Sequence, residues 1–276
     1  MEQKHLEYLS QSQVDQFDRD GYLCLRGFLS PEETISLLDR ARRLLNEFNI
    51  EDHPKTKFTT GDDNHVGDDY FLTSGDKIRF FLEEDAVDSE GKLTVEKNRA
   101  VNKIGHALHE LEPTFKKVTL QNERLKSLVR DLRFHKDPVA LQSMVITKQT
   151  KIGGEVPEHN DSTFLYTDPP SALGFWFALE KCTSENGALS FLPGSHKTAP
   201  ITKRFIRLPQ GGTGFEELIP ASKTPAPPKA NISWSLVNPA ICPNTRTGYS
   251  PRKLCPSQEF SHQPKLLAPC TIGDFV

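Results

Sequence analysis

Apolar and polar positions recur along this chain with two different periods, and the change falls near residue 139. Before it the helical period dominates. Ser12 to Asp20 reads as a short helix stopped by Gly21, with a strand at Tyr22–Leu25. A second helix has a clear start: Ser30 can cap, Pro31 suits the first turn, and Glu33 stands where a capping box needs it. Leu37, Leu38, Ala41, Leu44, Leu45 and Phe48 then recur at helical spacing and form one apolar stripe. Glu51 to Asp69 is polar and broken, which predicts a loop. Lys77–Leu82 is strand-like, and Val101–Glu110 and Pro113–Leu132 predict helices.

From Val139 the texture turns to short β segments, expected at Val139–Lys148, Phe164–Tyr166, Leu173–Leu179 and Ala188–Phe191. Gly153-Gly154, Pro169-Pro170, Glu185-Asn186-Gly187 and Pro193-Gly194-Ser195 separate them as turns. Helices first and closely spaced strands later predict a mainly β protein with flanking helices, a helix-backed barrel or sandwich rather than an alternating parallel sheet. Residues 1–220 read as one such unit. After Pro220 the pattern stops. Residues 221–276 hold 9 of the 20 prolines and 3 of the 5 cysteines, without sustained alternation, and composition alone reads as a disordered tail.

Composition narrows the functional class. The 276 residues are enough for a core without disulfide staples. A net charge of −3 leaves no footprint for nucleic acid or for an anionic membrane, although a basic pocket for a small anion remains compatible with it. No window approaches the ~18 consecutive apolar residues of a membrane span, and Met1–Ser10 holds no apolar signal core. Asp274-Phe275-Val276 is no peroxisomal address. The odd set Cys24, Cys182, Cys242, Cys255 and Cys270 fits neither a zinc site nor a disulfide framework, so reduced thiols and a cytoplasmic location are expected.

The strongest local feature is Gly153-Gly154-Glu155-Val156-Pro157-Glu158-His159-Asn160-Asp161. In an extended strand, residues two apart share a face, so His159 and Asp161 can reach one metal together. An imidazole and a carboxylate, completed by a distant histidine, make the facial triad of non-haem Fe(II) oxygenases. The same spacing also describes a surface histidine beside a turn aspartate, so the weight rests on context. Three other features are weaker. His106 and His109 stand three apart on the expected helix and share a face there, with no metal partner in view. His196 belongs to a turn and reads as structural. Gly211-Gly212-Thr213-Gly214 lacks the strand, helix and lysine of a phosphate loop and reads as a lid segment.

Around the His-x-Asp pair lie Gln142–Lys148, Phe164–Pro169, Leu173–Trp176 and the run Glu185-Asn186-Gly187-Ala188-Leu189-Ser190-Phe191-Leu192-Pro193-Gly194-Ser195-His196. This series resembles the phytanoyl-CoA dioxygenase family over about residues 10–220. Asp69–Phe81 and Asn102–His109 resemble its domain-containing subgroup in particular. The resemblance implies a double-stranded β-helix (jelly-roll) core with His159 and Asp161 as the first two iron ligands. It implies that Lys103, Met144 and Trp176 line a 2-oxoglutarate pocket. Read without the family, Met144 and Trp176 are plain core and Lys103 is a solvated helix lysine. The implied activity is a dioxygenase, or hydroxylase, coupling 2-oxoglutarate decarboxylation to oxidation of a C–H bond in a small-molecule substrate. Its implied needs are Fe(II), 2-oxoglutarate and O2, with ascorbate as a candidate reductant.

The family places its third metal ligand and a basic residue for the far carboxylate after residue 220, where this sequence departs from the pattern. His262 stands alone in a proline-rich stretch. Two expectations follow: a core missing its last strands, and, as the alternative to an enzyme, an inactive ligand-binding or interaction barrel. Back-translation adds a third. Read from the second base of each codon, Cys242 to Pro251 can spell Val-Leu-Ile-His-Gly-x-Val-Ile-His, so residues 221–276 read as a frame-shifted or mis-spliced C-terminus.

Overall fold

Ser10 and Ser30 start the first two helices. Their hydroxyls accept the Gln13 and Glu33 amides at 3.3 and 3.2 Å, and those side chains accept the cap amides at 2.8 Å, which closes two capping boxes. The first helix ends at Gly21, which is left-handed with φ 77°. The second buries Leu37, Ala41, Leu44 and Leu45, and Phe48 behind them, on the expected stripe.

The computed structural model describes residues 5–58, 68–149, 152–153, 156–183, 186–220 and 222, and the strand backbones between 233 and 275. The first half holds Gln11–Asp20 (α1), Leu23–Cys24 (β1), Pro31–Glu47 (α2), Lys57–Phe58 (β2), Asp69–Leu72 (α3), Ile78–Glu83 (β3), Lys97–Ala100 (α4), Val101–His106 (β4), Leu108–Leu111 (α5), Pro113–Val118 (α6) and Glu123–Leu132 (α7). The second holds Ala140–Ile146 (β5), Val156–Asn160 (β6), Leu173–Ala178 (β7), Ser190–Phe191 (β8), Ser195–Thr198 (α8), Lys203–Arg207 (β9) and Thr213–Glu217 (β10). Ser233–Trp234 (β11), Ala240–Pro243 (β12), Arg246–Tyr249 (β13) and Pro269–Phe275 (β14) follow.

Three sheets result. The large one runs β1-β12-β7-β14-β5-β4-β3-β2, the small one β11-β8-β13-β6, and β9 and β10 form a separate hairpin. Apart from the parallel β2–β3 pair, the ladders are antiparallel. Ile104, Val145, Phe175 and Phe177 are buried on one face of the large sheet, in one core with Leu37, Ala41, Leu125 and Leu128 of the helices. Removing each such side chain from water contributes about 1.5–3 kcal/mol. Among the described residues no helix is long and apolar enough to cross a membrane. Among the described residues Cys182 is a buried thiol.

The expectation of a core missing its last strands is corrected. β12 pairs β7, β13 pairs β6 and β8, and β14 lies between β5 and β7. An open strand edge offers a row of N–H and C=O groups, and a partner is recruited there through its main chain whatever its side-chain alternation. Val101–Glu110 is also corrected: Val101–His106 is a strand, and only Leu108–Leu111 is helical. Pro113–Leu132 breaks at Thr119–Asn122, where the Asn122 carbonyl oxygen Oδ1 accepts the amides of Arg124 and Leu125 and starts α7 afresh. Phe164–Tyr166 is no strand.

One contact ties the start of the described chain to α7. The buried Asp131 carboxylate accepts the successive amides of Glu7, Tyr8 and Leu9 at 2.9, 2.7 and 2.7 Å.

Candidate metal and cosubstrate site

His159 ends an extended segment and Asp161 begins a turn. β6 stops at Asn160, whose Oδ1 accepts the Ser162 amide at 3.1 Å and caps a single 3-10 turn, Asp161–Thr163. The expectation that both residues share a strand face is thus corrected at Asp161. Their side chains converge nonetheless, with His159 Nε2 3.3 Å from Asp161 Oδ1. The Pro157 carbonyl accepts from His159 Nδ1 at 2.8 Å, which assigns the Nδ1 proton and aims Nε2 at the carboxylate. Two ligands at a right angle around one ion, each about 2.1 Å from it, stand about 3 Å apart, so the spacing suits a shared divalent cation.

Burial works to lower the His159 pKa, but the Asp161 hydrogen bond and charge, with the Pro157 carbonyl, outweigh it and hold it above the usual imidazole value. A metal ion held by this pair would take the place of the Nε2 proton. Among the described residues no group of three or more His, Cys, Asp or Glu side chains converges on one point, so the pair offers two donor side chains there. His262 lies outside the described residues.

Lys103, Met144 and Trp176 lie on three strands of the large sheet, β4, β5 and β7, with β14 between the last two. Gly105 stands opposite Met144, Met144 opposite Thr271, and Thr271 opposite Trp176, while Lys103 is two residues along β4 from Gly105. Facing residues and residues two apart share a side, so all three point away from the helix-backed core. His159 belongs to the small sheet, with Asp161 in the turn that follows it, and the three others to the large one. Lys103 is on a strand rather than a solvated helix face, and burial lowers its pKa to about 7. Trp176 Nε1 is buried and has no hydrogen-bond partner among the described residues. A buried orphan donor on β7 and a buried lysine three strands away on β4, on the same face, are each suited to a carboxylate group, so the chemistry of this face fits 2-oxoglutarate.

The weaker candidates have structural partners. His106 Nδ1 meets the Ser74 hydroxyl at 2.8 Å, and His109 Nδ1 meets that of Ser143 at 2.7 Å. His196 Nε2 lies 3.2 Å from the Asp18 carbonyl. Gly211 and Gly212, at φ 94° and 79°, turn the β9–β10 hairpin. That hairpin brings Phe205 and Phe215 to Phe164, beside His159. The sequence reading missed this aromatic group, although two short strands flanking Gly-Gly are a hairpin signal.

The model of the phytanoyl-CoA dioxygenase family matches residues 17–232. The chain belongs to that family. Its members are Fe(II)- and 2-oxoglutarate-dependent dioxygenases. Among similar proteins, phytanoyl-CoA dioxygenase domain-containing protein 1 of Danio rerio is 43% identical over 223 residues, 79% of this chain and 76% of that protein. The Caenorhabditis elegans homolog is 45% identical over 196 residues, 70% of this chain and 67% of that protein.

Solved structures extend the family's fold to this chain. EctD from S. alaskensis, crystallised with 2-oxoglutarate and 5-hydroxyectoine, superposes with a TM-score of 0.55 at 18% identity, over 98% of this chain and 78% of EctD. SnoK, a non-heme alpha ketoglutarate dependent carbocyclase from nogalamycin biosynthesis, gives 0.56 at 16% identity, over 87% of this chain and 76% of SnoK. The two sheets are accordingly those of the double-stranded β-helix of 2-oxoglutarate oxygenases.

Proposed function

We propose that this protein is a 2-oxoglutarate-dependent dioxygenase that oxidises a C–H bond of a small molecule, with iron held by His159 and Asp161. The observation that carries this reading is the 3.3 Å approach of His159 Nε2 to Asp161 Oδ1, with Nδ1 committed to Pro157. Lys103 neutralises a carboxylate of 2-oxoglutarate, Trp176 donates its orphan N–H, and Met144 walls the site against water. Bound iron supplies the oxidising chemistry, and these side chains orient the cosubstrate. EctD was crystallised with 2-oxoglutarate and 5-hydroxyectoine, which supports a small-molecule substrate here. The test is succinate release from 2-oxoglutarate by the iron-loaded protein, with Asp161→Ala as control. Equal release by both would remove the assignment.

A second reading rests on the two-ligand donor set. In it residues 221–276 are a misread frame, and the polypeptide is an inactive barrel. Its support is that the family match stops at residue 232. In addition, Arg246 and Thr247 stand across from Asn160 and His159, so the histidine spelled by the alternative frame at codons 245–246 falls beside the pair. Sequencing the transcript between codons 220 and 245 decides it: an unbroken frame without a retained intron ends this reading.

A further inference from the structure

Phe164 touches both members of the metal pair. Its amide donates to the Asp161 carbonyl at 2.9 Å, closing the 3-10 turn. Its ring stands edge-on to the His159 imidazole, with centroids 5.6 Å apart and planes at 84°. From another element it meets Phe205 at 5.8 Å and Phe215 at 5.9 Å. Those two are direct cross-strand partners in the β9–β10 hairpin, 5.4 Å apart, and Lys203 Nζ lies 4.3 Å from the Phe215 centroid. Phe164 itself stays 37% exposed, more than a ring that only fills core would be.

We propose that Phe164 is a positioning residue for the metal pair, and that the β9–β10 hairpin sets the aim of the His159 imidazole through Phe205 and Phe215. The inference rests on reading His159 and Asp161 as metal ligands. The Pro157 carbonyl fixes one nitrogen of the ring, which leaves the tilt of the ring plane to be set by what packs against it. An edge-to-face aromatic contact is directional and resists that tilt. The hairpin supplies the opposing wall, so a displacement of residues 203–217 passes to the ligand through one ring. Outer partners that orient a ligating histidine by hydrogen bonds typically change metal affinity by about 10–100-fold when removed, and a ring that orients it by packing is expected at the lower end of that range.

The test uses the full chain and two readouts. One is the set of His159 imidazole NMR signals without metal, which report ring current from Phe164. The other is Mn(II) affinity by calorimetry. In Phe164→Ala and Phe205→Ala the imidazole signals move and affinity falls about 10-fold; Phe164→Tyr keeps both near wild type. Leu37→Ala, in α2, lowers the melting temperature and moves neither readout, which separates positioning from general loosening. Should an alanine variant unfold, Phe205→Leu carries the comparison. Unchanged imidazole signals in the folded variants overturn the proposal, as does unchanged Mn(II) affinity. If the wild type takes up no Mn(II), the ligand assignment fails separately, and the imidazole signals alone decide whether the hairpin aims the ring.

Discussion

The side-chain amide of Asn102 donates to the carboxylate of Glu83 at 2.9 Å, and this pair stands against the loop that leads into β6. Gly153 in that loop has φ +109°, and a Cβ there would come 3.1 Å from Glu83 Oε1. Gly153→Ala therefore combines left-handed strain with crowding of a buried carboxylate, at a cost of about 1–3 kcal/mol. Gly91→Ala is the control, since its φ is +79° with nothing within 4 Å. Denaturant unfolding should show the larger loss at Gly153; equal losses would mean that Glu83 does not crowd the loop.

Lys103 gives a pH signature. Burial lowers it from 10.5 to about 7 in the fold. Between those values the unfolded chain binds more protons than the folded one, so stability rises with pH across that window. His106, held at about 3 by burial and the Lys103 charge, stays neutral throughout. The unfolding free energy of wild type should therefore climb relative to Lys103→Met from about pH 7 to pH 10. Taking the difference cancels Lys148, which burial lowers to about 8. A flat difference would show Lys103 to be solvated.

The same lysine must be charged to hold a carboxylate. Above about pH 7 the free protein has to take up a proton on binding 2-oxoglutarate, so affinity should fall towards tenfold per pH unit. Lys103→Ala should bind more weakly near neutral pH, by ~1–3 kcal/mol, and lose this slope. Calorimetry in two buffers of different ionisation enthalpy measures the proton directly.

If His159 and Asp161 hold the ion as proposed, His159→Ala and Asp161→Ala each remove one of its two described donors, and Mn(II) binding should weaken by at least about 100-fold. Affinities equal to wild type in both variants would place the ion elsewhere.

Glu112 carries a structural prediction. Its Oε2 accepts the Thr114 and Phe115 amides at 2.9 and 3.1 Å, while Oε1 accepts from Arg40 Nε at 2.8 Å. Glu112→Ala removes a helix cap and half of a largely buried ion pair, at a cost of about 2–4 kcal/mol. Arg40→Ala keeps the cap and should cost less in the same thermal melts.

Legibility followed the range of the interactions. The Ser30–Glu33 capping box was readable because its two residues act within four positions, whereas the Ser10–Gln13 box escapes a reading that starts the first helix at Ser12. Val101, Ile104, Ala107 and Leu108 mimic a helical stripe, yet β3 and β5 pair β4 from both sides and override it. The His-x-Asp pair was visible because it lies in one segment. Lys103, Met144 and Trp176 were visible only through family resemblance, since their common face depends on pairing across β4, β5, β14 and β7. Phe205 and Phe215 reach Phe164, the ring beside His159, from a separate hairpin, and no local pattern marks that relation.

The Asp131 carboxylate also has a kinetic meaning. Three consecutive amides, Glu7 to Leu9, end on one side chain of α7. Deuterium exchange at these positions should report opening of that helix rather than fraying of a loose end. A fluorophore attached just ahead of Glu7 would turn with the helical layer and serve as a gauge of its rigidity.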